Sequence, residues 1–164
     1  VESSAIKQGL PPVARPDARL FILGSLPGDA SLAARQYYGH PRNQFWTLLS
    51  RVIGEDLQSL DYGARLERLM QHRIGLWDVV ADAERPGSLD QSMKRVGHNP
   101  LADYFAEFSR LEAVAFNGST AASIGHKLLA GTKLRLVDLP SSSPANTRPF
   151  SEKALAWRVL TEFV

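Results

Sequence analysis

Several short stretches of this 164-residue chain gather side chains that could do chemistry. Gly24-Ser25-Leu26-Pro27-Gly28 sets a hydroxyl among glycines and a proline. Asp78 is a carboxylate near the end of one apolar run, and Asn117-Gly118 closes another. Ser141-Ser142-Ser143-Pro144-Ala145-Asn146 puts consecutive hydroxyls beside a carboxamide. Tyr37-Tyr38-Gly39-His40-Pro41-Arg42-Asn43-Gln44-Phe45-Trp46 combines paired aromatics, basic side chains and amides. That mixture suits a nucleobase carried on a phosphate backbone. A base taken out of its helix is stacked on an aromatic face and read by hydrogen bonds to its edge. Phosphates are met by backbone amides, hydroxyls and cations. Glycines let the backbone come close.

The elements that must position these groups can be read from apolar patterning. Arg19 to Leu23 is an apolar run ending at Gly24, a buried strand of the kind found in parallel sheets. Ile74 to Val80, Ala113 to Phe116 and Lys133 to Leu139 are the other strand candidates. Asn43 to Ile53 has a helical apolar stripe stopped by Gly54, and Asp61 could cap a second helix reaching about His72. Further helices are expected over Leu101–Leu111, Ser119–Ala130 and Ser151–Val164. The last has Ser151 as its cap and Leu155, Trp157, Val159, Leu160 and Phe163 as its apolar set. Ala81 to Pro100 is polar and broken by Pro86-Gly87 and Asn99-Pro100, so it is expected to be mostly loop. Strands alternating with helices argue for an open parallel α/β sheet covered on both faces. Ligands of such sheets bind at the carboxyl ends of the strands, where the stretches above fall.

Composition narrows the classes. Hydrophobic residues make up 44% and charged residues 22%, ordinary for a globular domain of this size. The net charge of +2 is only a weak hint of a polyanionic partner. There is no cysteine, which excludes disulfides, thiolate catalysis, zinc fingers and cysteine-held clusters. No apolar run reaches the roughly 18 residues that span a bilayer, so no membrane role is expected. Residues 1–18 read as a proline-containing lead-in without the apolar core of a secretory signal, and Val1 suggests a trimmed end. These features agree with a cytoplasmic protein of a bacterial cytosol or nucleoid. No histidine or carboxylate cluster has metal-ligand spacing, so no metal is expected.

Taken in order, the motifs resemble a known family. Gly24–Gly28 after a strand resembles the first motif of the uracil-DNA glycosylase superfamily, and Ser142-Ser143-Pro144-Ala145-Asn146 after the last strand resembles its second. Gly39 to Trp46 is similar to the branch known as hypoxanthine-DNA glycosylases. Leu76-Trp77-Asp78-Val79, followed by Arg85-Pro86-Gly87-Ser88-Leu89-Asp90, extends that likeness. The resemblance runs from about Arg19 to Val164 and implies one domain over residues 19–164. It implies an α/β fold, a three-layer α/β/α sandwich with a central four-stranded parallel sheet. It also implies no cofactor and a monomer acting on double-stranded DNA that contains a damaged or mismatched base.

The resemblance assigns roles residue by residue, and each has a plainer rival. Leu26 stands where better known branches carry Asp or Asn to position water, and leucine offers no polar atom. In the branch this chain resembles, Asn43 is the substitute, and it could equally cap the following helix. Asp78 stands where the family reads the base. It could accept an N–H or stabilise a cationic sugar, or it could simply pair with Arg85. Gly24, Ser25, Leu26, Phe45 and Asn117 are expected around the base, with Phe45 as stacking floor and Trp46 in the core. Asn117 could instead be a turn residue. Pro27, Gly28, His40, Arg42, Ser142, Ser143, Asn146 and Arg148 are expected to meet DNA, or to form surface loops stiffened by Pro140, Pro144 and Pro149. Family members place a wedge after the second motif, where this chain has small residues at 145–147. Lys94, Lys127, Lys133 and Lys153 read as surface charges, so no amine nucleophile is expected. The function implied is a monofunctional DNA glycosylase that flips a deaminated base, hypoxanthine first, and leaves an abasic site. Its rivals are an inactive damaged-DNA-binding protein of the same fold and a small α/β hydrolase, although GxSxG, P-loop and GxGxxG motifs are missing.

Overall fold

A computed structural model describes residues 5–164. In chain order its elements are β1 (Ile6–Gln8), β2 (Leu20–Gly24), α1 (Asp29–Ala34), α2 (Phe45–Ile53), α3 (Tyr62–Gln71), β3 (Ile74–Asp78), β4 (Val80–Glu84), β5 (Lys94–His98), α4 (Leu101–Phe105), β6 (Ala113–Asn117), α5 (Ser119–Leu128), β7 (Arg135–Leu139) and α6 (Phe150–Trp157). The strands β2, β3 and β6 are buried along their whole length, as the apolar runs predicted. They join β7 in a four-stranded parallel sheet of order β3-β2-β6-β7.

Side chains alternate across this sheet because successive residues of a strand face opposite ways. Leu20, Ile22, Ile74, Leu76, Ala113 and Ala115 pack with residues of α2, α3 and α6. Phe21, Leu23, Trp77, Val114 and Phe116 pack with residues of α4 and α5. Two apolar layers therefore sandwich the sheet, and the three-layer α/β/α arrangement expected from the sequence is the one observed. The register brings Gly24 opposite Asp78 and Asn117 opposite Leu139, so the strands end together at one rim.

The polar excursion after β3 is not mostly loop. It contains β4 and β5, which pair antiparallel in a small sheet of order β1-β4-β5. The expected lead-in also joins the fold: β1 pairs with β4, Leu10 is buried, and Val13 bridges Leu76. Residues 1–4 of that segment lie outside the described residues. Asp61 caps α3 as expected, its carboxylate accepting the Ala64 N–H at 2.8 Å. Helix α4 stops at Phe105, shorter than its pattern implied. The last helix starts at Phe150 without a side-chain cap and tightens into a 3-10 turn over Arg158–Phe163. Leu155 points away from the core, at 67% exposure. No helix among the described residues is long and apolar enough to cross a membrane.

Candidate active site

The aligned strand ends open into a cleft of about 510 Å³. Its floor and one wall come from β2 and β3. Asp78 ends β3 and is 3% exposed. Gly24 ends β2 directly beside it, and a Cβ there would lie 2.7 Å from Asp78 Oδ1 and 3.1 Å from Tyr38 Oη. Only glycine leaves room for that carboxylate and that phenol together. Both groups are poorly satisfied: Asp78 Oδ2 and Tyr38 Oη are buried without a hydrogen-bond partner among the described residues. Buried polar atoms are normally paired, so an orphaned acceptor beside an orphaned hydroxyl marks a place that waits for a ligand.

The electrostatics follow from burial. Loss of hydration pushes the Asp78 carboxyl up from its ordinary 3.8 to about 7, helped by the nearby negative charge of Asp90. A Gly24 backbone hydrogen bond and the Arg85 cation pull the other way without cancelling the shift. Burial also raises Asp90, whose carboxylate accepts the Ser25 hydroxyl at 2.7 Å. Burial and the Asp78 charge keep the Tyr38 phenol protonated well above its ordinary range.

The opposite wall is built from carboxamides and hydroxyls that satisfy one another. Asn117 Nδ2 donates to Ser142 Oγ at 2.8 Å, and the Ser142 N–H donates back to Asn117 Oδ1 at 2.9 Å. The Ser142 hydroxyl then donates to Asn43 Oδ1 at 2.8 Å, which also accepts the Phe45 N–H at 2.9 Å. The Gln44 N–H closes the ring on Ser142 O at 3.0 Å. Two accepted hydrogen bonds identify Oδ1 of Asn43, and its Nδ2 donor is left for whatever enters the cleft. Behind this wall Lys153 is 1% exposed. Its ammonium donates to Gln44 Oε1 and Asn146 O, both at 2.9 Å. Among the described residues no cluster of His, Asp and Glu could hold a metal ion.

Comparison with known proteins agrees with this geometry. The sequence model of the uracil DNA glycosylase superfamily matches residues 11–161. A protein of Methanosarcina barkeri named hypoxanthine DNA glycosylase is 43% identical over 152 residues, 92% of this chain and 95% of its own. One of Methanosarcina acetivorans with the same name is 38% identical over 155 residues, 94% of this chain and 98% of its own. A solution NMR structure of a candidate uracil DNA glycosylase from Methanosarcina acetivorans superposes with a TM-score of 0.87 at 38% identity, covering 96% of this chain and 97% of that one. The chain belongs to the uracil DNA glycosylase superfamily.

In this DNA glycosylase the cleft brings together most of the residues singled out from the sequence. Gly24, Ser25, Leu26, Pro27, Gly28, His40, Asn43, Asp78, Asn117, Ser142, Ser143 and Asn146 all line it. Arg42 is exposed outside the lining, and Arg148 stands over a neighbouring hollow beside Asn146. Phe45, expected as the stacking floor, does not line the cleft. Its ring is fully buried and lies against Tyr38, with centroids 3.8 Å apart and planes 14° apart, and Tyr38 is the ring that reaches the cleft. Trp46 is core, as expected.

Other roles change with the geometry. Asp78 makes no ion pair with Arg85, whose fully buried guanidinium donates instead to the carbonyls of Leu26, Pro27 and Gly87. Ser142 has no hydroxyl to spare for phosphate, since it is buried within the ring of bonds above. Asn117 is not the strained turn residue; Gly118 takes the positive φ of 102°, and Asn117 braces the second motif. Lys153 is no surface charge, and it lies behind the cleft rather than in it. Tyr38 and Asp90 were not foreseen as site residues. The aromatic pair Tyr37-Tyr38 and a second carboxylate closing Arg85–Asp90 were the available signals.

Proposed function

We propose that this glycosylase hydrolyses the N-glycosidic bond of a deaminated base, hypoxanthine first, after flipping it from double-stranded DNA into the cleft. The observation that carries this is the orphaned pair above Gly24. Ionised Asp78 Oδ2 can only accept a hydrogen bond, and the protonated Tyr38 hydroxyl can donate one. Hypoxanthine, uracil and xanthine all present an N–H beside a carbonyl on the pairing edge, as guanine and thymine do, so this pair of groups separates them from adenine and cytosine. Adenine and cytosine present an acceptor nitrogen beside an amino group, which meets that pair in the wrong order. A site whose buried groups would be left unpaired rejects the wrong edge strongly. The names of the two Methanosarcina relatives support hypoxanthine among these bases.

In the reaction the bond between C1′ and the base nitrogen stretches, its electron pair leaving with the base while C1′ gains positive charge. The ionised Asp78 stabilises that cation. Asn43 Nδ2, the free donor, orients a water or holds the departing base. The water oxygen then bonds C1′, one of its protons ends on the released base, and an abasic sugar remains. No lysine lines the cleft, so no covalent amine intermediate forms. The protein acts as a monomer, in the cytosol with the DNA.

The test is cleavage of duplex oligonucleotides carrying one hypoxanthine, uracil or xanthine, with each base opposite. Strand breaks that appear only after hot alkali are expected, with hypoxanthine cut fastest. Tight binding to damaged duplex without product from any base would replace this reading with that of an inert DNA-binding relative.

A further inference from the structure

A flipped nucleotide leaves a gap in the base stack, and proteins that open or kink DNA commonly push an apolar side chain into such a gap. The second motif, on the β7 side of the cleft, has nothing of that kind. Residues 145–147 are Ala, Asn and Thr, and Asn146 is committed to the loop by its bonds to Ser141 O and the Arg148 N–H. On the β3 side the picture reverses. Ile6, Leu89 and Leu155 are the large hydrophobic residues exposed among the described residues, and of these Leu89 lines the cleft, at 48% exposure.

A single exposed leucine is ordinary on a protein surface. What sets Leu89 apart is how firmly its neighbours are held. Ser88 Oγ accepts the Asp29 N–H at 2.9 Å, and Asp90 accepts the Ser25 hydroxyl at 2.7 Å. Gly87 O accepts from Arg85 Nε at 2.9 Å and Lys7 Nζ at 2.7 Å. Leu89 O accepts the Ser92 N–H at 3.0 Å and opens a 3-10 turn over Asp90–Ser92. The chain is pinned on both sides of one apolar side chain left in solvent, to Asp29 at the start of α1 on one side and to Ser25 of the first motif on the other. Little further ordering is needed for that side chain to enter another molecule. The strand that follows carries exposed Lys94, suited to the phosphates of a flanking strand, and exposed Arg95, which is paired with Glu84 at 3.0 Å.

We infer that Leu89 is the wedge of this enzyme, filling the space vacated by the flipped nucleotide from the β3 side of the cleft. The inference rests on the base-flipping reaction proposed above. A gap exists only in a duplex, so the wedge matters more there than on a single strand.

The experiment compares wild type, Leu89→Ala and Leu89→Met under single-turnover conditions on one hypoxanthine oligonucleotide, duplex and single-stranded. Binding to a duplex with a tetrahydrofuran abasic site and to an undamaged duplex is measured beside it. For Leu89→Ala the ratio of duplex to single-strand rate should fall about tenfold, and so should discrimination of abasic from undamaged duplex, with Met restoring most of both. The same ratio in all three proteins, with unchanged discrimination, overturns the wedge. If wild type releases no base yet its abasic discrimination depends on Leu89, the proposed reaction falls and the wedge stands.

Discussion

The two walls of the cleft are built on opposite principles. The wall after β7 is satisfied: Asn117, Ser142, Asn43 and the α2 terminus pass hydrogen bonds in a closed ring. The wall after β3 is unsatisfied: Asp78 Oδ2 has no partner, Tyr38 Oη beside it has none, and Asp90 adds like charge. A satisfied wall holds one geometry, which is what a positioning amide requires. An unsatisfied wall sits above its free-energy minimum until a ligand supplies the missing bonds. The enzyme keeps these two needs on separate strand ends, so the fold can tolerate the second because the first is complete.

The largest effect should come from Asn43, the residue of the hydrogen-bonded ring whose Nδ2 donor is left over for the cleft. Asn43→Ala removes the free Nδ2 and is expected to lower the rate by about 10²–10³-fold. It also removes an acceptor for Phe45 N and Ser142 Oγ, costing about 1–2 kcal/mol of stability. Asn43→Asp separates the two roles. It keeps an oxygen for both bonds, so thermal melting should stay close to wild type while the rate drops as far as in Ala. An active Asp variant would transfer Asn43's role from donation to water-activating acceptance.

On the unsatisfied wall Asp78→Asn should act through charge. With its carboxyl pushed to about 7, Asp78 is half ionised near neutrality, and the wild-type kcat should climb as pH rises through that value. The Asn variant keeps an acceptor but loses the anion. About 10–100-fold in kcat should go, together with the step in the pH profile, while KM changes less. Stability should move the other way. A carboxyl raised in the folded state stabilises the protein below its unfolded pKa of 3.8, and that stability is lost as pH climbs through about 7. Asp78→Asn should therefore be the more stable protein at pH 8, by up to about 4 kcal/mol, and denaturant melts across pH 4–8 would show it. A pH-independent difference in stability would mean that Asp78 is ionised throughout.

The main sheet and the places of the motifs at its rim were legible because they are written in strong local signals, whereas the bonds that tie the satisfied wall together were not. Buried parallel strands are unbroken apolar runs, and the motif residues follow directly where those runs stop. The small sheet was not legible. Residues 80–84 and 94–98 mix the buried Val80 and Ala83 with exposed polar side chains, and their pairing slips register at Val80/Asp82 and Asp82/Glu84, which erases the two-residue alternation. Tyr38 was eclipsed by Phe45 because the two rings stack and only Tyr38, in a left-handed turn at φ 55°, lines the cleft, which residue type alone does not reveal. Ser142 looks like its neighbours in a run of serines, and only its reach to both Asn117 and Asn43 singles it out.

Lys153 shows the same gap between type and place, and it sharpens the comparison last. It follows exposed Ser151 and Glu152, so its type reads as solvated, yet it is the hidden brace of the satisfied wall. Its burial lowers the ammonium's pKa, and bonds to Gln44, Asn146 and Ser143 offset the lost hydration. Lys153→Met fills the same space but leaves buried acceptors unpaired. It should cost about 2–3 kcal/mol of stability and, by loosening Ser142 against Asn43, about tenfold in rate. At temperatures where the variant is fully folded, the rate loss should persist and the Asp78 step near pH 7 should not move. A variant as fast as wild type when folded would mean that the Asn117–Ser142–Asn43 ring holds its geometry without support from behind.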